Sequence, residues 1–323
     1  WSALGAGTNS NVFALAVMGT DVYAGGFFIQ AGGIDVSNIA KFDTLTNTWS
    51  ALGTGINNYV RSLAVMGTDL YVGGAFSQAG GNPANYIAKW DTLTNEWSAL
   101  GTGTDGIVYA LAVMGTDVYA GGTFTQASGL TVNRIAKWDG SNWSALGDGT
   151  NNVVRSLAVM GTNLYVGGQF TQAGDISASN IAKFNTLTNT WSALGSGTNN
   201  IVYALAVMGT DLYVGGSFTQ AGGNPASRNA KWDTLNSTWS ALGTGTNNAV
   251  YALAFMGIDL YVGGAFTQAS GLTVNRIAKY STRTILLNLY INEKLVYLNL
   301  QKNAVVNVSV TESNTPYSVL VDY

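Results

Sequence analysis

Hydrophobic positions along this chain fall in short runs separated by polar turns, with no helical spacing between them. Residues 49–96 show the pattern complete: WSAL, then VRSLAVM, then DLYVGG, then YIAKWD. Each run is rich in β-branched or aromatic residues and bounded by Gly, Asn, Asp or Thr, the marks of strands and tight turns. A helix across LAVMGTDLYVGG would carry glycines in its middle and at its end, each costing about 1 kcal/mol relative to Ala. The pattern predicts four short strands.

This unit recurs. WSALG begins at Trp1, Trp49, Trp97, Trp143, Trp191 and Trp239, spaced 46 or 48 residues apart. Four strands in such a period are the signature of a propeller blade, whereas β-solenoid coils are shorter, roughly 20–30 residues. The expected fold class is all-β, a six-bladed β-propeller over residues 1–283. We name the innermost strand of each blade a, the Gly-Gly strand b, the strand around IAK c, and WSAL d. The chain then runs d before a, b and c, and the last set, 250–279, lacks a d strand. Trp1–Leu4 is free to supply it, which predicts a ring closed by the N-terminal strand with no unpaired edges.

Residues 284–323 break the pattern. TILLNLYI, KLVYLNL, AVVNVSV and YSVLVDY read as four more strands, with Val306, Val308 and Val310 alternating against Asn307 and Ser309. Forty residues seldom hold a core alone. This segment is expected to form a small C-terminal β module that docks on the propeller, on a partner or on another copy, so that self-assembly through 284–323 is an expected role.

Composition narrows the chemistry. The chain of 323 residues is 47% hydrophobic and 10% charged, with 41 Gly, 3 Pro and a net charge of -3. No basic run exists to bind nucleic acid, and no apolar run reaches the roughly 18 residues of a membrane helix. Cys and His are absent, which removes disulfides, thiol nucleophiles, Cys or His metal sites and histidine acid–base chemistry. Trp1 in place of an initiator Met reads as the mark of a processed or trimmed chain.

A hydrophobic strand ending in Gly-Gly, then an aromatic-Asp pair, a Thr-Asn turn and Trp, as in LYVGG followed by KWDTLTNEW, resembles the kelch repeat. The resemblance implies a galactose-oxidase-type propeller over residues 1–283. The chain departs from it in a longer Gly/Asn/Ser loop after each Gly-Gly and in the near-identity of its copies. LYVGGxFTQAGG repeats are also similar to those of bacterial and large-virus surface proteins, which implies an extracellular, cell-surface or virion location.

The six copies also separate scaffold from variable positions. Trp at the start of d reads as a ring wedged between blades. The Gly pairs read as sites of positive φ or close backbone approach. Lys41, Lys89, Lys137, Lys183, Lys231 and Lys279 in strand c precede an Asp by two in four copies, and read as solvated pairs worth less than about 1 kcal/mol each. Two positions vary on this frame, as binding positions do. One, near the start of strand a, carries Phe13, Arg61, Tyr109, Arg155, Tyr203 and Tyr251. These residues are placed to ring the channel mouth, where arginines among aromatics suit a carboxylate or a sugar. The other, after strand b, carries Asn38, Tyr86, Arg134, Asn180, Arg228 and Arg276.

No facing carboxylate pair, Asp box or metal motif stands out, so no enzyme and no cofactor is expected. The expected role is a non-catalytic structural, adhesive or assembly protein binding protein partners or glycans through its propeller loops. A lectin-like receptor-binding domain is the alternative, and a hydrolase the third reading.

Overall fold

A computed structural model describes residues 2–281, together with the backbone of strands Thr284–Ile291 and Lys294–Gln301. Six antiparallel sheets follow one another along the chain, each with strand order a-b-c-d where the fourth strand is present. Blade one is Asn11–Met18, Asp21–Phe27, Ile39–Asp43 and Thr48–Ala51. Blade two is Val60–Met66, Asp69–Gly74, Ile87–Asp91 and Glu96–Ala99. The inner strands of blades three to six are Val108–Met114, Val154–Met160, Val202–Met208 and Val250–Met256. The fold is therefore an all-β, six-bladed β-propeller. Among the described residues no helix is long and apolar enough to cross a membrane.

The hydrophobic core lies between blades. Tyr23 and Ile39 of blade one share a cluster with Val60, Leu70, Val72 and Phe76 of blade two. Tyr71 and Ile87 of blade two meet Val108, Val118 and Phe124 of blade three in the same way. Each sheet thus presents two apolar faces, and the period-two alternation of its strands serves both neighbours.

The conserved-looking features of the repeat have separate jobs in this packing. The Trp of strand d lies against the aromatic of strand c, as in Trp90 and Trp97 with ring centroids 5.1 Å apart. Its indole Nε1 donates to the Leu carbonyl ending the previous blade's fourth strand, as from Trp97 to Leu52 (2.9 Å) and from Trp143 to Leu100 (3.0 Å). The wedge reading holds, although most of these rings stay partly exposed and only Trp143 is buried.

The Gly pairs act through close approach alone. None of Gly25, Gly26, Gly73 or Gly74 has positive φ. A Cβ on Gly73 would stand 2.5 Å from Val108 of the next blade, and one on Gly74 would stand 2.1 Å from the Tyr59 carbonyl oxygen. Five of the strand c lysines pair with the Asp that opens strand b, not with the one two residues on: Lys41–Asp21 is 3.0 Å and Lys231–Asp211 is 2.8 Å, while beside Lys183 strand b opens with Asn163. The Asp at the end of strand c instead takes backbone N–H groups of the c–d turn, as Asp91 does from Leu93 and Thr94.

Among the described residues the ladder expected between the first strand and the sixth sheet is not formed. The sixth sheet has three strands, Val250–Met256, Asp259–Gly264 and Ile277–Ser281. Ser2–Leu4 makes no ladder with it, and Trp1 lies outside the described residues. The Leu4 carbonyl accepts the Trp49 indole N–H at 2.9 Å, the same bond that the Leu after a preceding fourth strand makes at the other junctions. In the tail, Thr284–Ile291 and Lys294–Gln301 pair as an antiparallel hairpin. The two further strands expected there lie outside the described residues.

Candidate functional site at the channel mouth

The first variable position is a β-bulge in every blade. Strand a shifts register against strand b between Val12 and Ala14, Val60 and Ser62, Val108 and Ala110, and likewise through blade six. The skipped residue is Phe13, Arg61, Tyr109, Arg155, Tyr203 or Tyr251. A bulge leaves one residue unpaired and re-aims its side chain. Here it lifts one side chain per blade out of the alternation that fills the core, which frees that position to vary.

These six residues line one cavity of about 360 Å³ formed by all six inner strands. They sit in neighbouring pairs. The Arg61 guanidinium lies over the Phe13 ring, 4.2 Å from its centroid, and Arg155 lies 4.3 Å over Tyr109. Tyr203 and Tyr251 meet edge to face at 5.3 Å. Such cation–aromatic contacts contribute about 0.5–2 kcal/mol and hold the guanidinium planes in place.

The residues lining the cavity include no acid: around the bulged positions stand Ser62, Ser156 and small or apolar side chains. Neither Arg61 nor Arg155 forms a salt bridge among the described residues, and the Arg155 Nε is buried without a hydrogen-bond partner. Two cations line a polar space, a setting that favours an anion.

The second variable position is built differently. Asn38, Tyr86, Arg134, Asn180, Arg228 and Arg276 all have φ between 61° and 72°. The carbonyl of each accepts the N–H of the second Gly in its own blade, as Arg134 does from Gly122 at 2.9 Å. These residues brace the b strand beside the bulge through their backbone. Asn38 and Asn180 also donate to the next blade, at the carbonyls of Ile56 and Thr198. The Arg134 guanidinium turns onto the Thr123 carbonyl of its own blade at 2.8 Å. Arg134 borders a separate cavity of about 280 Å³ with Asp148 and Gln172, and none of Arg134, Arg228 and Arg276 lines the channel cavity.

The loop entering strand a and the loop leaving strand b do share one face. Asn57 accepts from the N–H groups of Ser77 and Gln78, and Asn151, Asn199 and Asn247 repeat this. Blade three replaces the Asn with Asp105, whose carboxylate takes the Thr125 hydroxyl at 2.6 Å and two backbone N–H groups. Burial alone would raise its pKa, but these donors together hold it below the usual carboxylate range.

The comparisons with known proteins follow the architecture. The family model for the Rax2 C-terminal beta propeller domain matches residues 2–163, half of the chain. The chain belongs to this family. The Rax2 propeller match spans blades one to three and ends inside blade four. No curated protein matches the chain. Among solved structures it is similar to the computationally designed Ika8 protein, at 19% identity and TM-score 0.55, over 84% of this chain and 71% of that one. It is also similar to the extracellular domain of a protein described as a one-component system of B. thetaiotaomicron, at 13% identity and TM-score 0.58. That likeness covers 86% of this chain but only 34% of the other. Likeness at these identities shows the propeller fold alone.

Proposed function

We propose that this Rax2-family propeller is a non-catalytic binding module whose channel mouth takes a carboxylate-bearing group of a glycan or of a protein partner. The carrying observation is the arrangement of Arg61 and Arg155, stacked on Phe13 and Tyr109 and facing a cavity with no acid in its lining. A guanidinium fixed by an aromatic face keeps its N–H edge free for a carboxylate, and Tyr203 and Tyr251 offer flat surfaces for a sugar ring or an apolar side chain. Two sets of carboxylates are spent on structure: those opening strand b pair with lysines, and those ending strand c accept turn N–H groups. The kelch-like punctuation of the repeat and the polar loop face support a role in adhesion or assembly at a cell or virion surface.

A glycan array and an acidic-peptide array, each probed with the full chain, test this reading. Retained binding to uronic, sialylated or acidic-peptide probes, lost in the Arg61→Gln, Arg155→Gln double variant, is the expected result. Binding confined to neutral probes, or untouched by the double variant, rejects it.

A further inference from the structure

Five blade junctions share one notch, and the sixth is not made. A Cβ on Gly25, Gly73, Gly121, Gly167 or Gly215 would stand 2.3–2.5 Å from the first Val of the next inner strand. Those partners, Val60, Val108, Val154, Val202 and Val250, are wholly buried. The corresponding pair across the remaining gap is Gly263 and Val12. A Cβ on Gly263 would meet only Ala252 of its own blade, at 3.7 Å, and Val12 is 40% exposed.

The remainder of both faces agrees. Leu15 and Val17 stand 65% and 64% exposed, while their counterparts Leu63 and Val65 pack into the cluster shared by blades one and two. On blade six, Met256 and Ile277 are exposed, while their counterparts Met18 and Ile39 belong to that cluster. Ala24, Phe28, Ala31, Val36 and Ala40 form a cluster of blade one alone, whereas the other clusters join residues of two neighbouring blades. Blade one and blade six therefore present the two complementary halves of the junction used elsewhere, with nothing described between them.

The strand positions say what is missing. Leu4 accepts from Trp49 as Leu52 accepts from Trp97, so Ser2–Leu4 stands against blade one where the end of a fourth strand stands at the other junctions. Ile277–Ser281 is an edge that lacks a fourth strand. Passing from that edge to Leu4, the gap wants one d strand followed by a, b and c.

We propose that the gap between blades six and one receives a seventh blade: one further d-a-b-c segment of this same repeat class. It would bring a Val for the Gly263 notch and a Gly-Gly pair for Val12, and its first strand would pair with Ile277–Ser281. Filling the gap covers two facing apolar surfaces and removes the open edge, which isolated propeller sheets avoid.

The test adds a synthetic peptide reproducing residues 190–233, which runs from a d strand to the next c strand, to the full chain. Native mass spectrometry reads stoichiometry, and peroxide oxidation reads exposure at Met256, since thioether reactivity follows access. The expected result is a one-to-one complex in which Met256 oxidises at least about tenfold more slowly, lost when the peptide carries Val202→Asp. Met256 already protected in the full chain without peptide overturns the proposal, as a monomer by pointing to residues 284–323 or direct closure, as a dimer by pointing to a second copy. A peptide that fails to bind while Met256 stays reactive overturns it too.

Discussion

The side chain of Val60 fills the space a Cβ on Gly25 would need, with Cγ1 only 2.3 Å from that position. One contact between neighbouring blades thus explains both the missing side chain at one position and the Val at the other. Gly25→Ala, or the same change at Gly73 or Gly121, should destabilise by about 1–3 kcal/mol, because the wholly buried Val has no room to retreat. Gly263→Ala meets no next-blade atom and should stay within about 0.5 kcal/mol. Urea midpoints of the four variants check this, and equal losses at Gly25 and Gly263 would show that the notch is not the cause.

The indole of Trp143 joins two blades by packing and by one hydrogen bond to Leu100. The two contributions separate by substitution. Trp143→Ala should cost about 3–5 kcal/mol, as for a buried large aromatic. Trp143→Phe keeps most of the ring and leaves the buried Leu100 carbonyl without its donor, for about 1–2 kcal/mol. Thermal or urea unfolding of both variants measures the difference, and a Phe variant as stable as the parent would remove the indole N–H from the account.

Much of this architecture was legible in the sequence because six copies repeat the same punctuation. Trp, Gly-Gly and the turn residues fix the strands, and the variable residues at Phe13, Arg61 and Tyr109 mark the channel mouth. Three things were hidden, each for a physical reason. The bulge that aims those residues depends on register against strand b, which no single strand reveals. The partner of Lys41 is Asp21, twenty residues earlier, because antiparallel pairing of strands b and c brings them to one face, whereas the nearer Asp43 turns to the backbone of its own hairpin. Closure by Trp1–Leu4 was the natural reading of the strand order, yet it also needs Val12 to reach the Gly263 notch, and Val12 stays exposed, a tertiary outcome that strand order does not carry.

Asp105 is the one charged member of the set of loop anchors otherwise filled by Asn9, Asn57, Asn151, Asn199 and Asn247. Its pKa is lowered in the fold, so its contribution is complete above the unfolded value of about 4 and is lost as pH falls through the folded value. Asp105→Asn should therefore change stability little at pH 7 and flatten part of the acid limb. Unfolding free energies between pH 2 and pH 7 read this directly, and an acid limb identical in both proteins would assign the pH dependence elsewhere.

The alkaline limb should be governed by the tyrosines of strand b. Burial, followed by the nearby Asp117 carboxylate, pushes the Tyr119 phenol up to about 12, and burial with Asp211 and Tyr280 does the same for Tyr213. Tyr23, Tyr71 and Tyr165 are raised too, each first by burial. A raised phenol stabilises the fold fully below the unfolded value of about 10, and that stability is lost as pH rises through the folded value. Since these rings lie at blade junctions, ionisation and unfolding should occur together between pH 10 and about 12. Tyrosinate absorbance and circular dichroism should then change in one transition. The Tyr119→Phe, Tyr213→Phe double variant keeps both rings, removes two of the ionisations and should move that transition to higher pH. Phenols that ionise while the circular dichroism stays native would show that the junctions admit water and that burial does not set these pKa values.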